Sequence, residues 1–252
     1  MFDTLSAMTT AAIFDVDGTL TATTGVDDAC FVAAIEKVLG VTVLDTDWGN
    51  YVHSTDQGLT VEVCTRAGRA APTAAQIADV KHVFVGLLKE KIGKNKALCV
   101  GIEGVGKMLE SARARPGWRV GIASGAWAES AAVKLGFAGV RVDDLVKTFS
   151  FAKTDGRPAM REEIIMQTVE KLGIARPAAA GWKGARSGPG GVAYIGDGVW
   201  DARAAKALGI GFVGVAHGEK KARLEREGVR RVVENHADLA TVLRLIEQAA
   251  AG

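Results

Sequence analysis

The sequence predicts an α/β protein in which helices cover both faces of a doubly wound parallel sheet. Short apolar runs of strand length alternate along most of the chain with segments of helical periodicity, and this alternation is typical of parallel sheets. Polar residues and glycine follow three of these runs directly, where a parallel sheet opens at the carboxyl ends of its strands. The 252 residues are 48% hydrophobic, which is enough for one large domain or two unequal ones.

The first strand is predicted at 11–14, where a short apolar run ends at turn-forming residues. The pattern then becomes helical. Thr73 and Gln76 form a capping-box pattern that opens a long amphipathic helix, and Gly93 is expected to end it. Residues 22–98 therefore form a mainly helical block between the first strand and the rest of the α/β pattern.

Strands and helices alternate regularly along the remaining chain. The other predicted strands lie at 119–123, 192–195, 211–215 and 231–233. The other predicted helices lie at 31–39, 105–114, 131–135, 161–172, 200–208, 220–226 and 239–250. The glycine-rich stretch 178–191 is expected to be a flexible surface loop without a function.

The composition excludes several classes of partner. Lys and Arg number 31 against 29 Asp and Glu, so neither nucleic acid nor an acidic membrane surface is predicted as a partner. No apolar stretch approaches the roughly 20 residues of a transmembrane helix, and the first residues lack a signal-peptide pattern. The three Cys and four His show no metal-ligand spacing, which argues against zinc and favours free thiols in a reducing cytoplasm.

The segment after the first predicted strand carries the strongest chemical signal. Asp15 and Asp17 lie two positions apart and are followed by Gly18 and Thr19. Two close carboxylates repel each other unless a cation lies between them, and the hard divalent cation that this pattern favours is magnesium. A calcium loop is excluded because its later ligand positions are not filled by the required residues. A plain strand-to-turn junction is the alternative.

Two further predicted strands also end in polar residues. Ser124 and Gly125 could donate to a phosphate oxygen, although Ser-Gly is also an ordinary turn. Asp197 lies in a Gly-Asp-Gly sequence, and Asp201 follows at a helix start, where it could simply cap the helix. All three strand ends would open on one edge of the sheet, so Asp197 could complete a metal site begun by Asp15.

Together these motifs resemble those of the haloacid dehalogenase superfamily of hydrolases, in particular its phosphatase-like members with a helical cap, such as phosphoglycolate phosphatases and β-phosphoglucomutase-like proteins. The matching stretches are 14–20 (FDVDGTL), 122–125 (IASG) and 195–201 (IGDGVWD). The order of elements extends the resemblance over nearly the whole chain. It implies a Rossmann-like α/β core made of 9–21 and 99–252, with an inserted helical cap made of 22–98.

The resemblance implies a role for each motif residue. Asp15 would be the nucleophile that forms an aspartyl-phosphate, and Asp17 would protonate the leaving group and then activate water. Ser124 would hold a phosphoryl oxygen, with Gly125 beside it at the substrate. Thr19 would orient the first loop at the substrate.

A magnesium ion is also implied by the resemblance. Asp15, the backbone carbonyl of Asp17 and Asp197 would bind it, with Asp201 in support, and the ion would neutralise charge on the nucleophile and the phosphoryl group. Asp17 favours phosphoryl chemistry over dehalogenation, because phosphate esters leave as alkoxides that need a proton, whereas halide does not.

The family places a Lys or Arg between the serine motif and the last acidic motif, often followed by Pro. Lys153, Arg157 and Arg161 compete for this role here. Arg157 precedes Pro158, whereas Arg161 opens the following helix and its guanidinium could reach two oxygens at once. Arg161 is favoured, and at least one of the three must be a solvated surface charge.

The resemblance further implies a small phosphorylated metabolite as the substrate, because a helical cap leaves only a small closed cavity. Trp48, Tyr51, His53 and Asp56 are candidate specificity residues in the irregular segment of the cap. Packing inside the cap is the alternative for each of them.

The principal prediction is therefore a magnesium-dependent phosphatase, and other functions stay open. A phosphomutase or a phosphonate-cleaving enzyme could use the same core, and the second would need a Schiff-base lysine, for which Lys37 is a candidate. A dehalogenase or a non-catalytic binding protein on this fold is a further alternative. The sequence indicates neither the metabolite nor the oligomeric state.

Overall fold

The computed structural model describes residues 9–174 and 190–252. Its strands are β1 (Thr9–Phe14), β2 (Thr21–Ala22), β3 (Val100–Gly101), β4 (Trp118–Ala123), β5 (Val146–Thr148), β6 (Gly190–Gly196), β7 (Gly211–Val215) and β8 (Val232–Val233). Six of them form one sheet in the order β5-β4-β1-β6-β7-β8, and every neighbouring pair in it is parallel. The predicted α/β class with a doubly wound parallel sheet is confirmed.

The helices are α1 (Thr24–Leu39), α2 (Asp56–Arg66), α3 (Ala74–Lys94), α4 (Val105–Ala114), α5 (Ala128–Phe137), α6 (Arg161–Lys171), α7 (Val199–Leu208), α8 (Gly218–Arg226) and α9 (Leu239–Ala251). Short 3₁₀ turns lie at Trp48–Asn50 and Lys96–Leu98. The capping box predicted at Thr73 and Gln76 is present. The predicted end of α3 at Gly93 is wrong by one residue, because a helix tolerates a single glycine at a cost of about 1 kcal/mol.

Alternate residues of β1 pack on opposite faces of the sheet. Ala12 and Phe14 join the core under α4 and α9, whereas Ala11 and Ile13 join the core under α6 and α7. All four side chains are fully buried. A continuous apolar run at 11–14 is therefore required by helices on both faces, as expected for a central parallel strand.

The register of β1 brings the three strand ends together. Phe14 pairs with Ile122 of β4 and with Ile195 of β6. The residues that follow each of these three positions therefore leave the sheet at the same edge. The predicted convergence of the three motifs on one edge is confirmed.

The predicted loop 178–191 overlaps the start of β6. Gly190 and Gly191 belong to this strand, so the prediction is wrong for these two residues. A Cβ at Gly191 would collide with the carbonyl oxygen of Ala250, and glycine thus lets the end of α9 lie against the strand. The rest of the predicted loop lies outside the described residues.

The helical block leaves and rejoins the α/β core through one small antiparallel pair, β2 with β3. Within it, α1 packs along α3, and the block has its own hydrophobic cluster that includes Phe31 and Phe84. Trp127, which precedes α5, enters this cluster and lies 6.0 Å from Phe31 between ring centroids. The helix α2 lies in a stretch that was predicted to be irregular. The division into a core and a cap at residues 22 and 98 stays a prediction.

Two other expectations concern the whole chain. In the parts of the chain that the structure describes, no helix has the length and apolar character needed to cross a membrane. Cys30, Cys64 and Cys99 are free and buried, as the sequence predicted.

Candidate active site

Asp15 lies directly after β1, and the fold holds it in place from both the main chain and the side chain. Its backbone N–H donates to the carbonyl of Ile195 at 2.9 Å, so the residue continues the ladder between β1 and β6. Only 3% of the residue is exposed. Burial raises the pKa of the Asp15 carboxyl, and the Arg161 guanidinium and a hydrogen bond from Ser124 oppose this rise.

Arg161 is the cation that reaches this carboxylate. It opens α6, and its Nη1 lies 3.0 Å from Oδ1 of Asp15, while its Nη2 donates to the Ser54 carbonyl at 2.8 Å. Burial works against its charge, but the neighbouring Tyr194, Asp201 and Asp15 hold the pKa of Arg161 above its usual range.

The two competing cations lie elsewhere. Lys153 pairs with Glu163 at 3.1 Å, and Arg157 pairs with Asp155 at 2.7 Å on the surface. The sequence left these three positions open, and the structure brings Arg161 to Asp15 and not the other two.

The third strand end supplies two more buried carboxylates. Carboxylate oxygens of Asp15, Asp197 and Asp201 all lie within 4.8 Å of one another. Burial raises the pKa of Asp197 to about 6. Burial also raises the pKa of Asp201 to about 8, and the charges of Asp15 and Asp197 add to this rise. Each carboxylate disfavours the ionisation of the other two, so a further positive charge would stabilise the ionised cluster.

This donor set fits a divalent cation. Carboxylate oxygens are the hard ligands that Mg²⁺ prefers, and an ion among three buried carboxylates would offset their repulsion. Asp201 was expected only in support, yet its carboxylate lies inside the cluster. One Asp201 oxygen also accepts from the Gly198 N–H at 3.0 Å, so the cap that was considered as an alternative role is present as well.

The glycine of the first motif is required by a close approach. Gly18 has φ +70, and a Cβ at this position would collide with the carboxylate of Asp197. Asp197 also receives an ion pair from Lys220 of α8, with 2.5 Å between Nζ and Oδ2. Only glycine allows the loop after β1 to pass so close to the third acidic motif.

The Asp17 carboxylate lies apart from this cluster. Its Oδ2 is 2.5 Å from Nζ of Lys134, and its Oδ1 accepts a hydrogen bond from the Thr23 hydroxyl at 2.5 Å. Lys134 was not among the predicted site residues. The available signal was a charged residue between Val133 and Leu135, one helical turn after Ser130 in α5.

Ser124 and Gly125 lie beside Asp15 as predicted. The Ser124 hydroxyl lowers the pKa of the neighbouring Asp15 carboxyl and accepts from the Ala126 N–H at 3.3 Å. The Gly125 carbonyl accepts from the Asp56 N–H at 2.8 Å, and a Cβ on Gly125 would collide with the Ser54 carbonyl. Glycine thus lets the segment before α2 lie against this strand end.

Thr19 lies inside the protein and not at the cavity surface. It is fully buried, and it is not among the described residues that line the cavity. Its carbonyl contacts Nε2 of His236 at 2.8 Å, which fastens the loop to the segment before α9. The structure therefore places Thr19 at the base of the loop with its side chain inside the protein, and its role at the substrate stays a prediction.

A cavity with about 620 Å³ of empty space, part of it open to solvent, lies between this sheet edge and the helical block. The residues on the sheet side of its lining are Asp15, Asp17, Ser124, Gly125, Ala126, Arg161, Asp197 and Trp200. The residues from the helical block are Asp27, Asp28, Phe31, Trp48, Ser54, Asp56 and Leu59. Seven residues of the helical block thus face this edge of the sheet.

The candidate specificity residues divide into two pairs. Trp48 and Asp56 line the cavity, and their role in specificity stays a prediction. Tyr51 donates to the Asp45 carbonyl at 2.7 Å, and His53 packs against Gly58, so these two lie within the packing of the helical block. Burial raises the pKa of Asp56 to about 6.

The fold and the cavity define an α/β enzyme whose polar groups gather at the carboxyl edge of its sheet. A family model for haloacid dehalogenase-like hydrolases matches residues 9–209. The chain belongs to this family of hydrolases. A search of curated proteins gave no match.

Solved structures share the fold over almost the full length of the chain. A β-phosphoglucomutase from Clostridium difficile is 15% identical with a TM-score of 0.64, and the match covers 96% of this chain and 98% of that one. CbbY from Rhodobacter sphaeroides, solved in complex with phosphate, is 20% identical with a TM-score of 0.61 and coverage of 91% and 95%. A predicted phosphoglycolate phosphatase from Haemophilus somnus is 14% identical with a TM-score of 0.55 and coverage of 95% and 99%.

Proposed function

We propose that this protein is a magnesium-dependent phosphatase that hydrolyses a small phosphorylated metabolite through an aspartyl-phosphate on Asp15. The observation that carries this proposal is the shared cavity. Asp15, Asp17, Ser124 and Arg161 all line it, so a nucleophile, a proton donor and two phosphoryl-binding groups face one space. Asp17 distinguishes this set from what dehalogenation needs, because it can supply a proton to an alkoxide.

In the first step, a carboxylate oxygen of Asp15 attacks phosphorus, and the bond from phosphorus to the ester oxygen breaks. Arg161 and Ser124, which both contact Asp15, stabilise the negative charge of the phosphoryl group during transfer. Asp17 gives its proton to the departing ester oxygen, so the product leaves as a neutral alcohol.

In the second step, the oxygen of a water molecule attacks phosphorus while Asp17 takes a proton from that water. The bond between phosphorus and the Asp15 oxygen then breaks, which releases inorganic phosphate and restores the Asp15 carboxylate. Arg161 again stabilises the negative charge of the phosphoryl group next to Asp15. The two steps together hydrolyse one ester bond and leave the enzyme unchanged.

Asp15, Asp197 and the Asp17 carbonyl are the groups that would hold magnesium, with Asp201 beside them. Bound there, the ion supplies positive charge that lets an anionic nucleophile approach an anionic phosphoryl group. The mutual distances within 4.8 Å and the raised pKa values of Asp197 and Asp201 support this assignment.

Residues 22–98 would form the cap that closes the site and selects the substrate. The part of the cavity lining that comes from α1, α2 and the segment around Trp48 supports a small metabolite as the substrate. The reducing cytoplasm is the proposed compartment, and the three buried free cysteines support it.

The alternatives use parts of the same site. A phosphomutase would return the phosphoryl group to substrate instead of water, with the same four residues. The phosphonate-cleaving alternative loses its support, because Lys37 is exposed and is not among the described cavity-lining residues.

The test is a phosphate-release screen of the purified protein on small phosphorylated metabolites and on p-nitrophenyl phosphate, with magnesium and with a chelator. Magnesium-dependent release that the chelator abolishes reversibly is expected. The absence of phosphate release from every compound of the panel would overturn the phosphatase proposal. Release that persists without metal would overturn the magnesium assignment.

A further inference from the structure

We propose that Lys134 is a positioning residue that fixes the carboxylate of Asp17 for proton transfer and ties it to the helical block through Asp27. This inference rests on the proposed phosphatase function and deepens it. Lys134 is not among the described residues that line the cavity, so any effect on the reaction passes through the two cavity-lining carboxylates that it contacts, Asp17 and Asp27.

The first observation is the burial of a charge. Lys134 is 0% exposed, on the helix α5 that follows the serine motif. A buried ammonium is costly unless charged partners compensate it. Burial lowers the pKa of Lys134, but the charges of Asp17, Asp27 and Asp56 outweigh burial and hold it above its usual range. The side chain therefore stays an ammonium.

The second observation is how completely the Asp17 carboxylate is held. Lys134 contacts one oxygen and the Thr23 hydroxyl contacts the other, both at 2.5 Å. A carboxylate bound at both oxygens has a defined orientation, and proton transfer needs a donor held at a fixed distance and angle. Without Lys134, one of these two contacts disappears.

The third observation is the second partner of the ammonium. Nζ of Lys134 is 2.7 Å from Oδ1 of Asp27, which lies in the first turn of α1. Lys134 thus joins Asp17, on the core side of the cavity, to a helix of the inserted block. The position of that helix and the orientation of the proton donor are coupled through one side chain.

Stability alone is a poor explanation of this arrangement. Buried ion pairs are often no more stabilising than apolar groups of the same size. A second pair, Lys81 with Glu129, already joins α3 to α5 at the surface with 2.6 Å between Nζ and Oε1. Lys134 differs from Lys81 in that it contacts the proposed acid.

The experiment compares two leaving groups in Lys134→Met and in the matched control Lys81→Met. The nitrophenolate of p-nitrophenyl phosphate leaves without a proton, whereas the alkoxide of the best alkyl phosphate in the screen needs one. We expect Lys134→Met to lower kcat on the alkyl ester by about 10- to 100-fold more than kcat on the aryl ester. Lys81→Met is expected to leave both rates near those of the wild type.

Lys134→Met would leave the partly buried carboxylates of Asp17 and Asp27 without their cation, so a second variant guards against loss of folding. Lys134→Met combined with Asp27→Asn removes one of these charges, and it is compared with Asp27→Asn alone. The same excess loss on the alkyl ester is expected in the double variant. Thermal unfolding of each variant reports whether it is folded.

Equal losses on both esters in these variants would overturn the inference, since a merely structural role does not depend on the leaving group. A kcat of Lys134→Met on the alkyl ester equal to that of the wild type would overturn the inference as well. Failure of the phosphatase proposal is a different result, because the wild-type protein would then release no phosphate from either ester.

Discussion

Arg161 Nη1 lies 3.0 Å from Asp15 Oδ1, although the two residues are 146 positions apart in the chain. The contact joins the end of the central strand to the start of α6 and is almost closed to solvent. Tyr194 accepts from the same Nη1 at 3.4 Å and donates to the Ala123 carbonyl at 2.9 Å, so the guanidinium is oriented by a further buried group. Under the proposed function, this orientation would let Arg161 stabilise negative charge on a phosphoryl group next to Asp15.

The first prediction concerns the geometry of this guanidinium. Arg161→Lys keeps the charge but loses the planar pair of donors that reaches both Asp15 and the Ser54 carbonyl. We expect kcat to fall by about 100-fold or more. The matched variant Arg157→Lys changes an exposed ion pair and should leave kcat unaltered. Steady-state phosphate release measures both, and a fully active Arg161→Lys would contradict the role of Arg161.

The second prediction concerns the nucleophile. Asp15→Asn is nearly isosteric but cannot form an aspartyl-phosphate, so turnover should become undetectable. The fold should persist, because the backbone contact to Ile195 does not involve the side chain. Asp155→Asn, at an exposed surface pair, is the control. Circular dichroism and phosphate release on both variants provide the measurement, and retained turnover in Asp15→Asn would remove Asp15 from the mechanism.

The sequence was informative where local pattern and global fold agree. The run at 11–14 predicted a buried central strand, and parallel pairing then required Asp15, Ser124 and Asp197 to meet at one edge. The choice of Arg161 over Arg157 depended on its place at a helix start, which a pattern can indicate. Such features are local, and a single sequence carries them.

What the sequence could not predict depends on contacts between distant residues. From the sequence alone, Lys134 in α5 cannot be distinguished from an ordinary surface charge. Its partner Asp27 becomes apparent only in the folded structure, where α1 brings it next to Lys134. Asp27 and Asp28 face the cavity because of how α1 crosses the site, and no local signal distinguishes them from solvated acids. The strands β2 and β3 are two residues long, too short for any periodicity to appear.

The third prediction concerns stability in the absence of metal. Burial raises the pKa of Asp201 to about 8 and that of Asp197 to about 6. The folded state therefore retains protons that the unfolded state has already lost, so the free energy of unfolding should fall as pH rises from about 5 to about 8. Adding magnesium should reverse this fall, because a divalent cation favours the ionised carboxylates.

One buried group acts in the opposite direction and requires a control. Burial lowers the pKa of His236, which makes the folded state more stable as pH rises through the usual histidine range. The Asp201→Asn variant retains the contribution of His236 to the pH dependence of stability and removes that of Asp201. Thermal unfolding at pH 5.5, 7 and 8.5 with a chelator should thus show a shallower loss of Tm in Asp201→Asn. Identical pH dependence in the two proteins would contradict the assignment.

The fourth prediction concerns the leaving group of the substrate. Six of the described cavity-lining side chains are carboxylates and one is a guanidinium. Three of the six, Asp27, Asp28 and Asp56, come from the helical block, and under the proposed function they would face the part of a substrate beyond its phosphoryl group. Carboxylates accept hydrogen bonds and repel anions. Phosphate esters of polyols or amino alcohols should therefore be hydrolysed with a higher kcat/KM than esters that carry a carboxylate.

Asp28 offers the sharpest test of this preference. It accepts from Nε1 of Trp48 at 2.8 Å, a contact that the amide oxygen of Asn can keep. Asp28→Asn should raise kcat/KM for a carboxylate ester such as phosphoglycolate by about fivefold or more relative to a neutral polyol phosphate, because a like charge is removed. Asp79→Asn, on the exposed face of α3, should leave this ratio unchanged. If wild-type protein prefers phosphoglycolate and Asp28→Asn does not alter that preference, the carboxylates of the helical block do not select the leaving group.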